Sequence, residues 1–118
     1  MAQPAKKSLN SPDQVVDMGE HGKVDIAAIA GAGVGRATFR PGWKWSVHEK
    51  PVVGGGDWCD VPHFVYLVQG QLKIVFSDGG ELDLQAGDVA TLPAGHDGWV
   101  VGDETAIMVD FGAVAKPF

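Results

Sequence analysis

Residues 86–99 read AGDVATLPAGHDGW, and the punctuation of this stretch sets the architecture. Gly87 permits a tight turn, Val89–Leu92 is a short strand, and Pro93 with Gly95 bends the chain away into a loop over Pro93–Gly98. Immediately upstream, Leu82 and Leu84 alternate with Glu81, Asp83 and Gln85, the period of a strand with one wet and one buried face. Asp78-Gly79-Gly80 joins this strand to Gln71–Ser77, and Gly70 joins that in turn to His63–Gln69. Downstream, Trp99–Val101 and Thr105–Phe111 complete the set.

The N-terminal half continues the theme. Lys23–Ala30 and Val34–Arg40 flank the turn Gly31-Ala32-Gly33, and Pro41-Gly42 precedes a third strand at Trp43–His48. Residues 51–60, with Gly54-Gly55-Gly56, read as a flexible loop. Ser11-Pro12-Asp13-Gln14 carries the marks of a helix start: a capping Ser11, Pro12 at the first position and Gln14 closing a capping box. Gly19 and Gly22 limit it to a turn or two. Seventeen Gly and seven Pro spread over 118 residues fit short strands joined by frequent turns. The expectation is an all-β sandwich or barrel with a short N-terminal helical turn, residues 1–20 forming a tail and helix and 21–118 the domain.

Composition narrows the partners. A formal net charge of −6, with nine scattered Lys and Arg, argues against nucleic acid, whose phosphates are bound by clustered basic residues. It also disfavours anionic membrane surfaces, and no apolar run reaches the roughly 20 residues of a spanning helix. Cys59 is the single cysteine, so no intrachain disulfide can form. No secretory signal is visible near the N-terminus, and a cytoplasmic protein is expected.

Two stretches resemble the paired motifs of the cupin superfamily, which implies a cupin jelly roll. Gly87, Pro93 and Gly95 match the second motif in order and spacing, while its histidine and asparagine positions fall on Gly98 and Gly102. Counting back from Gly70 along HFVYLVQG, the first motif's glutamate position is His63 and its histidine positions are Cys59 and Asp57. Counting forward from Gly42 instead puts the first histidine at His48, with Gly54-Gly55-Gly56 as the place for an insertion. The stretches PGWKWSVHEKP, CDVPH and PAGHDGWVVGDE also resemble a subgroup of small bacterial cupins.

A cupin typically gathers histidines and a carboxylate on one divalent metal inside the barrel. The resemblance therefore implies a site for Fe, Mn, Ni, Zn or Cu, with His48, Cys59, His63 and His96 as candidate ligands and Asp57 or Asp97 as carboxylates. Strand parity places Cys59, His63, Val65 and Leu67 on one face, which the resemblance turns inward. Asp57, Trp58, Val65 and Trp99 are candidate pocket residues, and His63 is the first candidate for an essential one. The same residues also suit a hydrogen-bonded pocket without metal, in which Cys59 is a small hydrophobe. His21 is expected to be exposed and inert.

Phe64, Tyr66 and Val68 make the opposite face of that strand equally apolar, so a second layer is expected over it, from the N-terminal strand or from another subunit in a homodimer. Two functional readings follow. One is a small-molecule-binding module with its site inside the barrel. The other is a metal-dependent oxygenase, isomerase or lyase acting on a small organic acid, sugar or aromatic compound.

Overall fold

A computed structural model describes residues 3–112. The described residues fold as nine strands: β1 (Gln14–Asp17), β2 (Gly22–Ile29), β3 (Ala32–Phe39), β4 (His63–Gln69), β5 (Gln71–Phe76), β6 (Glu81–Gln85), β7 (Val89–Leu92), β8 (His96–Val100) and β9 (Ala106–Asp110). They form a six-stranded sheet, ordered β1-β2-β3-β9-β4-β7, and a three-stranded sheet, β6-β5-β8. All pairings are antiparallel. The expected jelly-roll sandwich is therefore the observed architecture, although the two sheets do not join into one continuous barrel among the described residues.

The core lies between the sheets. Val24, Val65, Leu67, Leu72 and Ala106 are 0–1% exposed, and burying each large aliphatic side chain contributes about 1.5–3 kcal/mol. In β4 the burial alternates as parity requires: Val65 and Leu67 point inward, Phe64, Tyr66 and Val68 outward.

The sequence expectation is overturned in part at both expected loops, since residues 96–98 open β8 and residues 51–53 are helical, and more fully at two further places. Gln14–Asp17 is not helical but an edge strand paired to β2, with Gln14 opposite Ile26 and Asp17 opposite Lys23. Asp13 is used for sheet pairing instead of helix capping: its N–H donates to Ile26 O at 2.9 Å and its carboxylate accepts from Ala28 N–H at 2.7 Å. A helical turn does occur nearby, a single 3₁₀ turn at Gly19–His21.

The second difference is larger. Trp43–His48 is not a strand; Trp45–Glu49 winds as a wide helical turn that runs into an α-helical turn at Lys50–Val53. The coil is closed locally. Lys44 O accepts from the N–H groups of Val47 and His48, and Lys44 N–H donates to His48 Nδ1 at 3.0 Å. The Asp97 carboxylate accepts from Ser46 N–H at 3.1 Å, satisfying a further amide. These bonds replace the ladder that a strand would need.

The N-terminal segment covers the outer face of β2 and β3. Arg36 reaches from β3 to the buried Asp25 at 3.2 Å, to Leu9 O at 3.2 Å and to Asn10 Oδ1 at 3.0 Å. It does not supply the second layer expected over β4. Phe64, Tyr66, Val68, Val89 and Phe111 are 40–64% exposed. No helix among the described residues is long and apolar enough to cross a membrane.

Candidate functional site

Three donors converge where the two sheets meet. His63 opens β4 in the large sheet and His96 opens β8 in the small one. Cys59 joins them: its N–H donates to His96 O at 2.7 Å and its carbonyl accepts Gly95 N–H at 2.7 Å, an isolated antiparallel bridge. The ligating atoms of Cys59, His63 and His96 all lie within 4.8 Å of one another, and Cys59 Sγ is 3.7 Å from His63 Nε2.

Both rings are oriented by their other nitrogen. His63 Nδ1–H donates to the carboxylate of Asp110, a fully buried residue at the end of β9. The same carboxylate accepts Gly112 N–H at 2.7 Å. His96 Nδ1–H donates to Pro93 O at 2.8 Å. Each ring thus engages Nδ1, so that Nε2 is the atom through which it could meet an ion, an arrangement in which a carboxylate or carbonyl orients an imidazole. Metal–ligand bonds of about 2.0–2.3 Å at tetrahedral angles need donors about 3.5 Å apart. The sulfur–nitrogen distance already meets this, and a small contraction brings in the third donor. The donor set fits a transition metal ion.

Burial shapes the protonation of the group. It pushes the Cys59 thiol up to about 11, so an incoming ion must displace a proton to meet a thiolate. Burial also lowers His96, with the neighbouring His63 adding to the effect. Both shifts favour the neutral side chains.

Glu49 belongs to the same interior. With Phe39, Trp43, Trp45, Leu72, Met108 and the two histidines it lines a cavity of about 40 Å³, large enough for one or two waters or a small bound group. The residue is 4% exposed, and burial, followed by the charge of Asp110, raises its carboxyl to about 7. Outside this cavity lies a groove of about 640 Å³ between β1, the Lys50–Val53 turn and the loop that follows it. Trp45 borders both spaces, and Cys59 borders the groove.

The remaining candidates scatter. His48 lies outside the donor group, because the helical turn points its ring at His21, on which it stacks at 3.6 Å. Burial, with the neighbouring His21 second, lowers its protonation. His21 is accordingly half-buried, not freely exposed. The Asp57 side chain is 93% exposed and pairs with Lys50 at 3.6 Å. Trp58 lines the groove, whereas Val65 is packed in the core. Trp99 sits on an outer recess with the Lys44 ammonium 5.2 Å from its ring centre. The Asp97 carboxylate serves Ser46 and Gly98 N–H groups, which accounts for it structurally.

Sequence reading missed Glu49 and Asp110. Asp110 was marked by its parity: it follows Ala106 and Met108 on the inward face of an apolar strand, where an acid needs a partner. Glu49 stands four residues after Trp45, a signal visible only to a helical reading of that stretch.

At Gly98, where the motif count places the second motif's histidine, the structure leaves little room for a side chain. Gly98 faces Ile74 across the β5–β8 ladder, and a Cβ there would lie 2.8 Å from Ile74 Cδ1 and 3.1 Å from Lys73 O. Any side chain at 98 must displace Ile74. Gly98→Ala is expected to cost about 1–3 kcal/mol of stability, read from urea unfolding, by overpacking the small sheet. An unchanged midpoint would show that the core has slack there.

A family model described as the EutQ-like cupin domain matches residues 44–118. No curated protein matches the chain. Among solved structures, a variant of Bacillus subtilis oxalate decarboxylase is 24% identical with a TM-score of 0.64, over 89% of this chain and 29% of that one. A further structure of that enzyme, concerned with its Mn(II) centres, is 24% identical with a TM-score of 0.60, over 90% of this chain and 28% of that one. A Vibrio parahaemolyticus protein of unknown function is 15% identical with a TM-score of 0.55, covering 77% and 87% of the two chains. The chain thus spans less than a third of the decarboxylase, and at these identities the likeness is one of fold.

Proposed function

The chain belongs to the EutQ-like cupin domain family, and from that membership we propose that it is a small-molecule-binding cupin in which Cys59, His63 and His96 hold one divalent transition metal ion beside the ligand. The observation that carries this reading is the convergence of three donors from both sheets, with both imidazoles oriented by Asp110 and Pro93. One thiolate and two imidazoles form a softer set than the oxygen-rich surroundings that suit manganese, so zinc or ferrous iron is favoured. When bound, such an ion supplies Lewis acidity at its open position.

A second reading, a metal-dependent enzyme, is favoured by one feature. Three protein donors leave a coordination position open, as catalytic sites do and closed structural sites do not. Glu49, beside the histidines with its carboxyl near neutrality, is suited to hold or release a proton there. The exposed apolar strip over β4, β7 and the end of β9 supports a homodimer, since a second copy would cover it.

Elemental analysis of protein purified without a metal-affinity step tests the metal reading. Close to one ion per chain is expected after reconstitution with Zn or Fe. No stoichiometric ion after trials with Fe, Mn, Ni, Zn and Cu overturns it.

A further inference from the structure

Two imidazoles meet face to face away from the donor group. His21 ends the 3₁₀ turn Gly19–His21, and His48 lies in the wide helical turn Trp45–Glu49. Their ring centres are 3.6 Å apart and their planes 20° from parallel, and both residues are half-buried. His48 also closes its own coil: its Nδ1 accepts Lys44 N–H at 3.0 Å, while Lys44 O accepts the N–H groups of Val47 and His48. A ring nitrogen that accepts carries no proton, so this bond exists only while His48 is neutral. Protonation turns the acceptor into a donor facing another donor, and it sets a cation against the stacked ring. The 3₁₀ turn is pinned to the end of β3, since Arg40 N–H donates to His21 O at 3.0 Å, whereas residues 45–53 belong to neither sheet.

The other charged groups around the coil are committed elsewhere. On β8, the Asp97 carboxylate accepts Ser46 and Gly98 N–H and lies 3.9 Å from the Lys44 ammonium, and His96 Nδ1 faces Pro93 O. Lys50 pairs with Asp57 at 3.6 Å, and Arg40 reaches Glu20 O at 3.3 Å. Glu49, on the coil itself, lines the cavity; raised to about 7, it loses its charge on acidification, which favours its burial and opposes release. Burial first, and the charge of His21 second, lower the protonation of His48; a backbone contact to Lys44 works the other way and is the smallest of the three. The neutral ring's contribution is therefore fully present above the ordinary 6.5 and is lost as pH falls through the lower value.

We propose that His21 and His48 form a pH-sensitive latch, and that acidification releases the coil over residues 45–53. That coil walls the groove with Trp45, Val52 and Val53 and carries Glu49 to the cavity, so release loosens the boundary of both spaces. No bound ion is involved, and the latch stands or falls separately from the metal reading.

Native-state amide exchange of the full chain, corrected for the intrinsic pH dependence of exchange, reads the coil directly. Between about pH 7.5 and about pH 4.5 the Lys44, Val47 and His48 amides are expected to lose protection about tenfold, while those of the buried Leu67 and Leu72 keep theirs. His48→Asn offers an amide oxygen near the Nδ1 position that accepts Lys44 N–H and takes no proton, so its coil is expected to stay protected throughout. Wild-type protection that holds while the His48 ring titrates, or an equal loss in His48→Asn, overturns the proposal. His21→Phe keeps a flat ring and removes the chargeable neighbour. The His48 titration, followed by its ring ¹H signal, is then expected to move up by about half a pH unit. An unmoved midpoint overturns the latch. Each variant decides alone should the other fail to fold.

Discussion

Zinc binding is expected to weaken ten- to a hundredfold in Asp110→Asn, although that variant keeps all three donors. In His63→Ala stoichiometric binding should be lost. The asparagine variant is the sharper test, because it touches no ligand. Asp110 is 0% exposed, and its carboxylate takes the His63 Nδ1–H while also accepting Gly112 N–H. An amide in its place can keep one acceptor oxygen but removes the charge that makes the imidazole a stronger base and steadies its tautomer. Competition with a chromophoric chelator measures the affinity. An Asp110→Asn affinity equal to wild type would mean that His63 does not ligate, or that its ring needs no orienting partner. Asp110→Ala goes further, removing the buried acceptor of both the ring N–H and the Gly112 N–H, and should also cost about 3 kcal/mol in unfolding free energy.

Glu49→Gln should make the metal-free protein more stable at pH 8 by roughly 3 kcal/mol and leave it little changed at pH 4. The sign follows from the direction of the shift. Glu49 rises from an ordinary 4.5 to about 7 because burial, and secondarily the charge of Asp110, penalise its ionised form. The fold therefore prefers the protonated carboxyl. That preference is fully present below pH 4.5, is lost as pH rises through 7, and leaves a buried charge above it. Each tenfold difference in proton affinity is worth about 1.4 kcal/mol, which gives the magnitude. Urea unfolding of both proteins across pH 4–9 isolates this group, since all other titrations are common to the two. Parallel curves would show that Glu49 ionises without penalty in the folded chain.

The β framework was legible because its signals are local. Leu82 and Leu84 alternate with acids, Gly87 and Pro93 bracket β7, and parity correctly sorted Val65 and Leu67 from Phe64, Tyr66 and Val68. The helical turn at Trp45–Glu49 was not legible. Trp43, Trp45 and Val47 alternate as a strand would, and the groups that coil this stretch include the Asp97 carboxylate, 51 positions away from Ser46. His48 was misplaced with it: the motif count from Gly42 set it among the ligands, whereas the coiled stretch turns its ring onto His21. The capping box at Ser11–Gln14 failed for a similar reason: Asp13 met β2, a partner 15 positions away at Ala28. Local patterns identify strands well, but a short segment that a distant side chain can reach follows that side chain.

The bridge between Cys59 and His96 has a mechanical consequence. The small sheet is tied to the rest of the molecule near both ends of β8, by this bridge and by the pairing of Lys44 with Trp99. A cation shared by Cys59, His63 and His96 would act as a rivet at the first of these seams, holding the two shells at a fixed spacing. Chelation would then do more than empty a pocket: it would remove one of the ties between the two shells.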